Sequence, residues 1–270
     1  MLIKRIITAA LLLPLFVAAL FYLPNRYWAV LLLAVLLLAA WEWCALAGFE
    51  PVTRWIFAGT VLASCIGLLL AARPSTGAAA WVEYTAYWIA AAFWVLVVPV
   101  WIGGKWRLRN PAVLGVAGWV VLVPTWLALV QLQRTPGELL MLMGIVWVAD
   151  IAAYFVGWRI GRRKLAPEVS PGKTWEGVLG AGVAVALYYV LLRIILGPDE
   201  VTFLRPAGFM LFLGITLVSI EGDLFESWIK RQAGAKDSGS LLPGHGGVLD
   251  RIDALTSSMP VMALALLYIK

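Results

Sequence analysis

The chain has 270 residues, of which 63% are apolar and only 13% charged. Soluble domains run at about 45–50% apolar and roughly 25% charged. The 21 Lys and Arg and 15 Asp and Glu cannot give a body of this size a solvated skin, so soluble and disordered classes are excluded and a polytopic all-α membrane protein remains.

Apolar runs long enough to cross about 30 Å of hydrocarbon recur along the whole chain. They lie near residues 6–23, 27–48, 55–72, 81–102, 112–132, 139–158, 175–196, 206–228 and 252–269, which predicts about nine transmembrane helices. The breaks carry turn chemistry, as in Pro24-Asn25, Glu50-Pro51, Arg73-Pro74-Ser75, Asn110-Pro111, Pro136-Gly137 and Gly197-Pro198-Asp199. Lys4 and Arg5 precede the first run, but no A-x-A cleavage pattern stands before Pro24-Asn25-Arg26. That segment therefore reads as a retained first helix. Residues 1–138 hold helices 1–5, a scaffold and a candidate dimer or lipid-entry region. Residues 139–270 hold helices 6–9 and both long polar stretches, 159–174 and 229–251.

Sorting Lys and Arg by alternate loops puts fifteen on the side of the N-terminus and six on the other. Cytoplasmic loops are the basic ones. The expected arrangement is thus multi-pass in a cytoplasmic (inner) membrane, N-terminus and both polar loops inside, C-terminus outside. The net charge of +6 is explained by this bias, and fifteen Trp suit interfacial belts. No nucleic-acid partner is expected. Cys44 and Cys65 fall inside apolar runs, so they are neither a disulfide framework nor a metal pair.

Carboxylates within apolar spans are costly and usually functional. Asp150 lies deep in helix 6. Glu221, Asp223 and Glu226 cluster toward the end of helix 8, with Asp223 and Glu226 on one face and Glu221 pointing elsewhere. Asp250 and Asp253 open helix 9. Interhelical ion pairs with Lys230, Arg231 and Arg251 would account for one or two of these acids. A hard divalent cation with phosphate partners accounts for the cluster, and the basic side chains then become phosphate clamps. Glu42, between Trp41 and Trp43, reads as a snorkelling or hydrogen-bonded packing acid.

Two loops add candidates. Pro243-Gly244-His245-Gly246-Gly247 lets backbone approach a ligand and aim N–H groups at it. His245 reads as a phosphate or loop-holding hydrogen bonder. Ser170-Pro171-Gly172-Lys173-Thr174-Trp175-Glu176-Gly177 tempts a P-loop reading, but Pro167 stands where the motif needs glycine and no strand is expected before it. Instead Ser170 as N-cap or Pro171 as first-turn residue opens helix 7, with Lys173, Thr174 and Glu176 on its first turn, and a helix N-terminus attracts anions.

The run Ser227-x-Ile229-Lys230-Arg231, then Lys236-Asp237-x-Gly239, then Leu242-Pro243-x-His245-Gly246-Gly247-Val248-x-Asp250-Arg251-Ile252-Asp253 resembles the signature of the phosphatidate cytidylyltransferases, the CDP-diacylglycerol synthases. Asp150, the SPGKTWEG segment and Gly222-Asp223-Leu224-x-Glu226-Ser227 are similar to family segments in the same order. One position departs: the family often has a second Lys where this chain has Gly172, so only Lys173 carries over.

The resemblance implies a membrane enzyme joining CTP and phosphatidate, dependent on Mg²⁺ with a second cation (K⁺ or another Mg²⁺), and forming homodimers. It places the metal on Asp223 and Asp250. Lys230, Arg231, Lys236, Asp237, His245, Arg251 and Asp253 are then the remaining catalytic candidates. Ser170, Lys173, Thr174, Glu176, Asp150, Ser227, Gly244, Gly246 and Gly247 are the substrate-binding ones. The alternatives are a cytidylyltransferase acting on another lipid phosphate and, from a different class, an ion-coupled transporter.

Overall fold

The computed structural model describes residues 2–71, 79–197, 201–241 and 246–269. The elements are α1 (Leu2–Tyr22), α2 (Asn25–Leu46), α3 (Pro51–Ala71), α4 (Ala79–Ala92), α5 (Val98–Gly103), α6 (Pro111–Leu132), α7 (Pro136–Ile160), β1 (Lys164–Ala166), β2 (Ser170–Thr174), α8 (Trp175–Leu196), α9 (Gly208–Gln232) and α10 (Leu249–Ile269). The protein is an all-α polytopic membrane protein. Eight spans among the described residues are long and apolar enough to cross a bilayer, and α4 and α5 together form one of them. The expected ninth is α1, in which only Leu13–Tyr22 qualifies, as a shorter apolar helix. One feature departs from the expected pattern: β1 and β2 make an antiparallel hairpin between α7 and α8.

Local chemistry explains the breaks and joints. Asn110 caps α6, its side-chain oxygen accepting from the N–H groups of Ala112 at 2.9 Å and Val113 at 3.4 Å, with Pro111 at the first helical position. Between α4 and α5 the chain makes a π-helical turn, Phe93–Val97, just before Pro99, whose ring cannot donate to the ladder. Pro260 inside α10 likewise frees the carbonyl of Thr256, and Thr125 of α6 donates its hydroxyl to it at 2.9 Å. A helix-breaking residue is thus answered across an interhelical contact, as apolar surroundings require.

Packing then fixes α9 and α10, which carry five of the fifteen acids. Phe225 of α9 is buried in a ring of aromatics, with centroids of Phe93, Trp94 and Trp101 at 5.6, 5.5 and 5.4 Å and Trp43 at 6.4 Å. On another face Gly222 lies against Ser257 and the Asp253 carbonyl, so any Cβ there would collide with α10. Ser257 donates to the Val218 carbonyl at 2.8 Å across the same contact. Small residues and hydroxyl bonds are how helices approach closely in lipid. α10 also packs on α4 and α6, so the N-terminal helices share one core with the C-terminal ones.

Candidate active site

The C-terminal ends of α2, α5, α7 and α9 meet at one end of the bundle together with the hairpin and the start of α10. There a cavity of about 700 Å³ opens between α7, β2, α8, α9 and α10. Asp150, Asp223, Asp250 and Asp253 line it, with Lys164 and Lys173 as its cations and Tyr154, Trp158 and Val178 on its apolar side. Four carboxylates from three helices therefore share one chamber.

The α9–α10 wall is tightly organised. Asp250 accepts from Lys230 Nζ on Oδ1 at 2.6 Å. Its Oδ2 accepts from the N–H groups of Ser238 at 2.9 Å and Gly247 at 2.8 Å, and lies 3.0 Å from the Ser238 hydroxyl oxygen, whose one proton it shares with Glu42. Lys230 is buried and also pairs with Glu226 at 3.3 Å, one helical turn away. Gly246 has φ +81 and a Cβ there would press on Asp250, so both conformation and space require glycine. The N–H of Gly247 is directed inward at Asp250 rather than outward at a ligand. Gly244 and His245 lie outside the described residues.

Glu42 supports this wall from α2. Although the sequence reading gave it only a packing role, it is 4% exposed and accepts three hydrogen bonds from the loop. These come from the Ser238 hydroxyl at 2.9 Å and from the N–H groups of Val248 at 3.0 Å and Leu249 at 2.8 Å. It thereby binds otherwise orphaned donors at the start of α10, where a negative charge is favoured. Gly239 and Gly247 both face its carboxylate so closely that a Cβ at either would clash with it. The only sequence signal was an acid inside an apolar run.

Where α9 faces α7 and the hairpin the arrangement is looser. Lys173, at the end of β2, reaches Asp223 Oδ2 at 2.8 Å and the Ile220 carbonyl at 3.0 Å. Ser227 donates to Asp223 Oδ1 at 3.3 Å, so it steers that carboxylate and does not itself line the cavity. Among the described residues, Asp150 makes no hydrogen bond or ion pair. The expected opening of α8 is corrected: Ser170 and Pro171 belong to β2, and Thr174 is the N-cap, accepting from Gly177 N–H at 3.1 Å. Thr174 is buried against Gly157 and Gly161 of the α7 end, which leave no room for a Cβ. Ser170, Lys173 and Thr174 do line the cavity. Glu176 turns away and accepts from the N–H groups of Arg162 at 3.1 Å and Arg163 at 3.2 Å, holding the turn into the hairpin.

Several expected clamps stand elsewhere. Lys230 is bound to carboxylates. Arg231 lies on another face of α9, donating to the Val169 carbonyl at 3.4 Å and the Ala235 carbonyl at 3.1 Å. Lys236, Asp237 and Arg251 are exposed and outside the cavity wall. Conversely, Lys164, Tyr154 and Trp158 line the cavity without having been singled out. Lys164 was one member of a basic run whose individual directions only the hairpin fixes.

A hard cation suits the donor set of carboxylate oxygens gathered here. Among the described residues no group of three or more His, Cys, Asp and Glu forms a ready cage. A cation held by two carboxylates and completed by water and phosphate oxygens needs no such cage.

An all-α membrane body with an acid-and-lysine chamber at one end is the class of protein on view. The profile of the Cytidylyltransferase family matches residues 3–269, and the chain belongs to that family. It is 42% identical to the phosphatidate cytidylyltransferase of Pseudomonas aeruginosa, covering 98% of this chain and 97% of that protein. It is 34% identical to the phosphatidate cytidylyltransferase of Haemophilus influenzae, covering 96% of each. A phosphatidate cytidylyltransferase of Thermotoga maritima is 40% identical over 45% of this chain and 46% of that protein.

Proposed function

We propose that this protein transfers the cytidylyl group of CTP to phosphatidate, forming CDP-diacylglycerol and pyrophosphate for phospholipid synthesis. The observation that carries the reading is the cavity itself. It gathers four aspartates and two lysines against an apolar flank, in a chain similar over nearly its whole length to phosphatidate cytidylyltransferases. Phosphatidate has both a charged headgroup for the polar wall and acyl chains that can stay in the bilayer beside Tyr154 and Trp158.

In the reaction a phosphate oxygen of phosphatidate bonds to the α-phosphorus of CTP, and the bond from that phosphorus to the bridging oxygen breaks, releasing pyrophosphate. The nucleophile is already ionised, so no general base is required. The barrier lies in bringing two anions together and neutralising the developing charge. Asp223 and Asp250 would hold Mg²⁺, with Asp150 and Asp253 beside them for a second cation, K⁺ or another Mg²⁺. Such cations supply charge neutralisation and orientation of phosphate oxygens.

Lys173 and Lys164 are the cations nearest an incoming phosphate, and Lys173 would exchange Asp223 for phosphate as substrate binds. Lys230 keeps Asp250 in place, whereas Lys236 and Arg251, exposed beside the same loop, would meet the triphosphate as it enters. The reading extends to a homodimer in the cytoplasmic membrane with the cavity facing the cytoplasm, where CTP resides.

The test is release of labelled pyrophosphate from CTP by the purified full chain in mixed micelles. Release should require phosphatidate and a divalent cation and should be lost on chelation. Turnover without phosphatidate, or undiminished turnover after chelation, would overturn the assignment.

A further inference from the structure

Outside the reaction cavity, on the far side of the β1–β2 hairpin, is a second and smaller pocket of about 130 Å³. Arg107, Arg109, Arg231 and Trp228 line it with Gln232 and one acid, Glu168. It shares no lining residue with the larger cavity. Three guanidiniums facing one small space repel each other unless an anion joins them. Among the described residues Glu168 is the only anion lining the pocket, and its closest partner is Lys105. Arg107 and Arg109 make no hydrogen bond or ion pair among the described residues.

This loop is held in place. The Trp106 carbonyl accepts from the indole N–H groups of Trp101 and Trp228, each at 3.0 Å. Lys105 takes a left-handed backbone conformation, φ 51, which side chains rarely adopt. Asn110 begins α6 immediately afterwards. Arg107 and Arg109 are thus presented between two fixed points, and on α9 the guanidinium of Arg231 is aimed by its bonds to the Val169 and Ala235 carbonyls. A convergent set of planar guanidiniums matches the oxygens of a phosphate group.

We propose that Arg107, Arg109 and Arg231 form a second anion site, for a phosphate group, separated from the reaction cavity by the hairpin. Glu168 is the internal competitor that a bound phosphate displaces. The hairpin joins the two sites physically: its turn carries Glu168, its Val169 carbonyl is bound by Arg231, and its second strand delivers Lys173 to Asp223. Occupancy of the outer pocket therefore bears on the placement of Lys173. The phosphate has two possible sources, the headgroup of an anionic membrane lipid or free inorganic phosphate, and the chemistry of recognition is the same for both.

The test is binding to the full chain in zwitterionic detergent micelles, without CTP or phosphatidate. One arm titrates phosphatidylglycerol and counts bound lipid by native mass spectrometry; the other titrates inorganic phosphate calorimetrically. The double variant R107A/R109A should bind about tenfold more weakly in one arm, as expected for the loss of charge-assisted hydrogen bonds. Weakening confined to the lipid arm identifies a headgroup, and weakening confined to the phosphate arm identifies a free anion. A second variant, Glu168→Gln, removes the competitor and should bind more tightly in the same arm, a gain that misfolding cannot produce. Wild-type binding in both arms by the double variant, or no gain in Glu168→Gln, overturns the proposal.

Discussion

The two walls of the reaction cavity are built on opposite principles. On the α9–α10 side Asp250 is closely held: Lys230 on one oxygen, two backbone N–H groups on the other, and Glu42 securing the loop from behind. On the side facing α7 and the hairpin, Asp150 makes no hydrogen bond or ion pair among the described residues, and Asp223, although carried by α9, is held by a half-buried lysine on a short strand and a long serine contact. The difference teaches which charges are structural and which are exchangeable. A buried ion pair stripped of one partner is strongly destabilising, whereas a partly solvated pair can trade partners at little cost. The closed wall therefore sets geometry, and the open wall receives anions.

This contrast can be broken most sharply at the carboxylates. Asp223→Ala should lower phosphatidate-dependent pyrophosphate release by about 10²–10³-fold, in line with removal of a charge-stabilising group, while the protein still inserts and melts near the wild-type temperature. Asp250→Ala should abolish turnover too, but with a lower melting temperature because buried Lys230 loses its closer carboxylate partner and the Ser238 and Gly247 N–H groups lose their acceptor. Equal melting temperatures for the two variants would erase the distinction between the walls. Lys230→Met tests the closed wall directly: Asp250 and Glu226 lose their shared cation, and stability should fall by about 3–5 kcal/mol, read by thermal unfolding in mild detergent.

Glu42 separates positioning from mere packing. Glu42→Ala leaves the Val248 and Leu249 N–H groups without their acceptor, at about 1–3 kcal/mol for unsatisfied buried groups. It should lower kcat more than it raises KM for CTP. Glu42→Gln, which retains one acceptor oxygen, should restore part of kcat, and no recovery would count against positioning. Removing the α8 cap with Thr174→Ala should cost about 1 kcal/mol, with activity falling through displacement of the adjacent Lys173.

The smallest effect belongs to the exposed Lys105–Glu168 pair. The Lys105 ammonium holds the Glu168 carboxyl below its ordinary range. Its contribution is present above the usual glutamate pKa and is lost as pH falls through the lowered value in the folded protein. Glu168→Gln should therefore leave thermal stability nearly unchanged at neutral pH, and salt should mask what difference remains.

Much of the site was readable because membrane-level acids are scarce and expensive. Asp150, Asp223, Asp250 and Asp253 stood out on that ground and do share a cavity. Glycines were readable as close approaches, although Gly246 and Gly247 serve Asp250 rather than an open ligand surface. Basic residues were far less legible. Lys230, Arg231 and Lys236 are near neighbours in sequence, yet one is buried among carboxylates, one faces a separate pocket and one is exposed. A helix turns about 100° per residue, so adjacent charges necessarily serve different faces. Glu42 was missed as part of the site because its partners are some two hundred positions away.

Composition and the spacing of apolar runs alone determined that this chain belongs in a membrane as a helical bundle, since hydrocarbon demands internally satisfied backbone. The order of acidic and glycine-rich motifs alone pointed to phosphate chemistry. Only the tertiary structure decided that the α7–α8 connection is a hairpin, that Thr174 begins α8, and which lysine neutralises which aspartate. The reason is that electrostatic partners in a low-dielectric body are chosen by distance and orientation across helices, and a linear sequence carries neither.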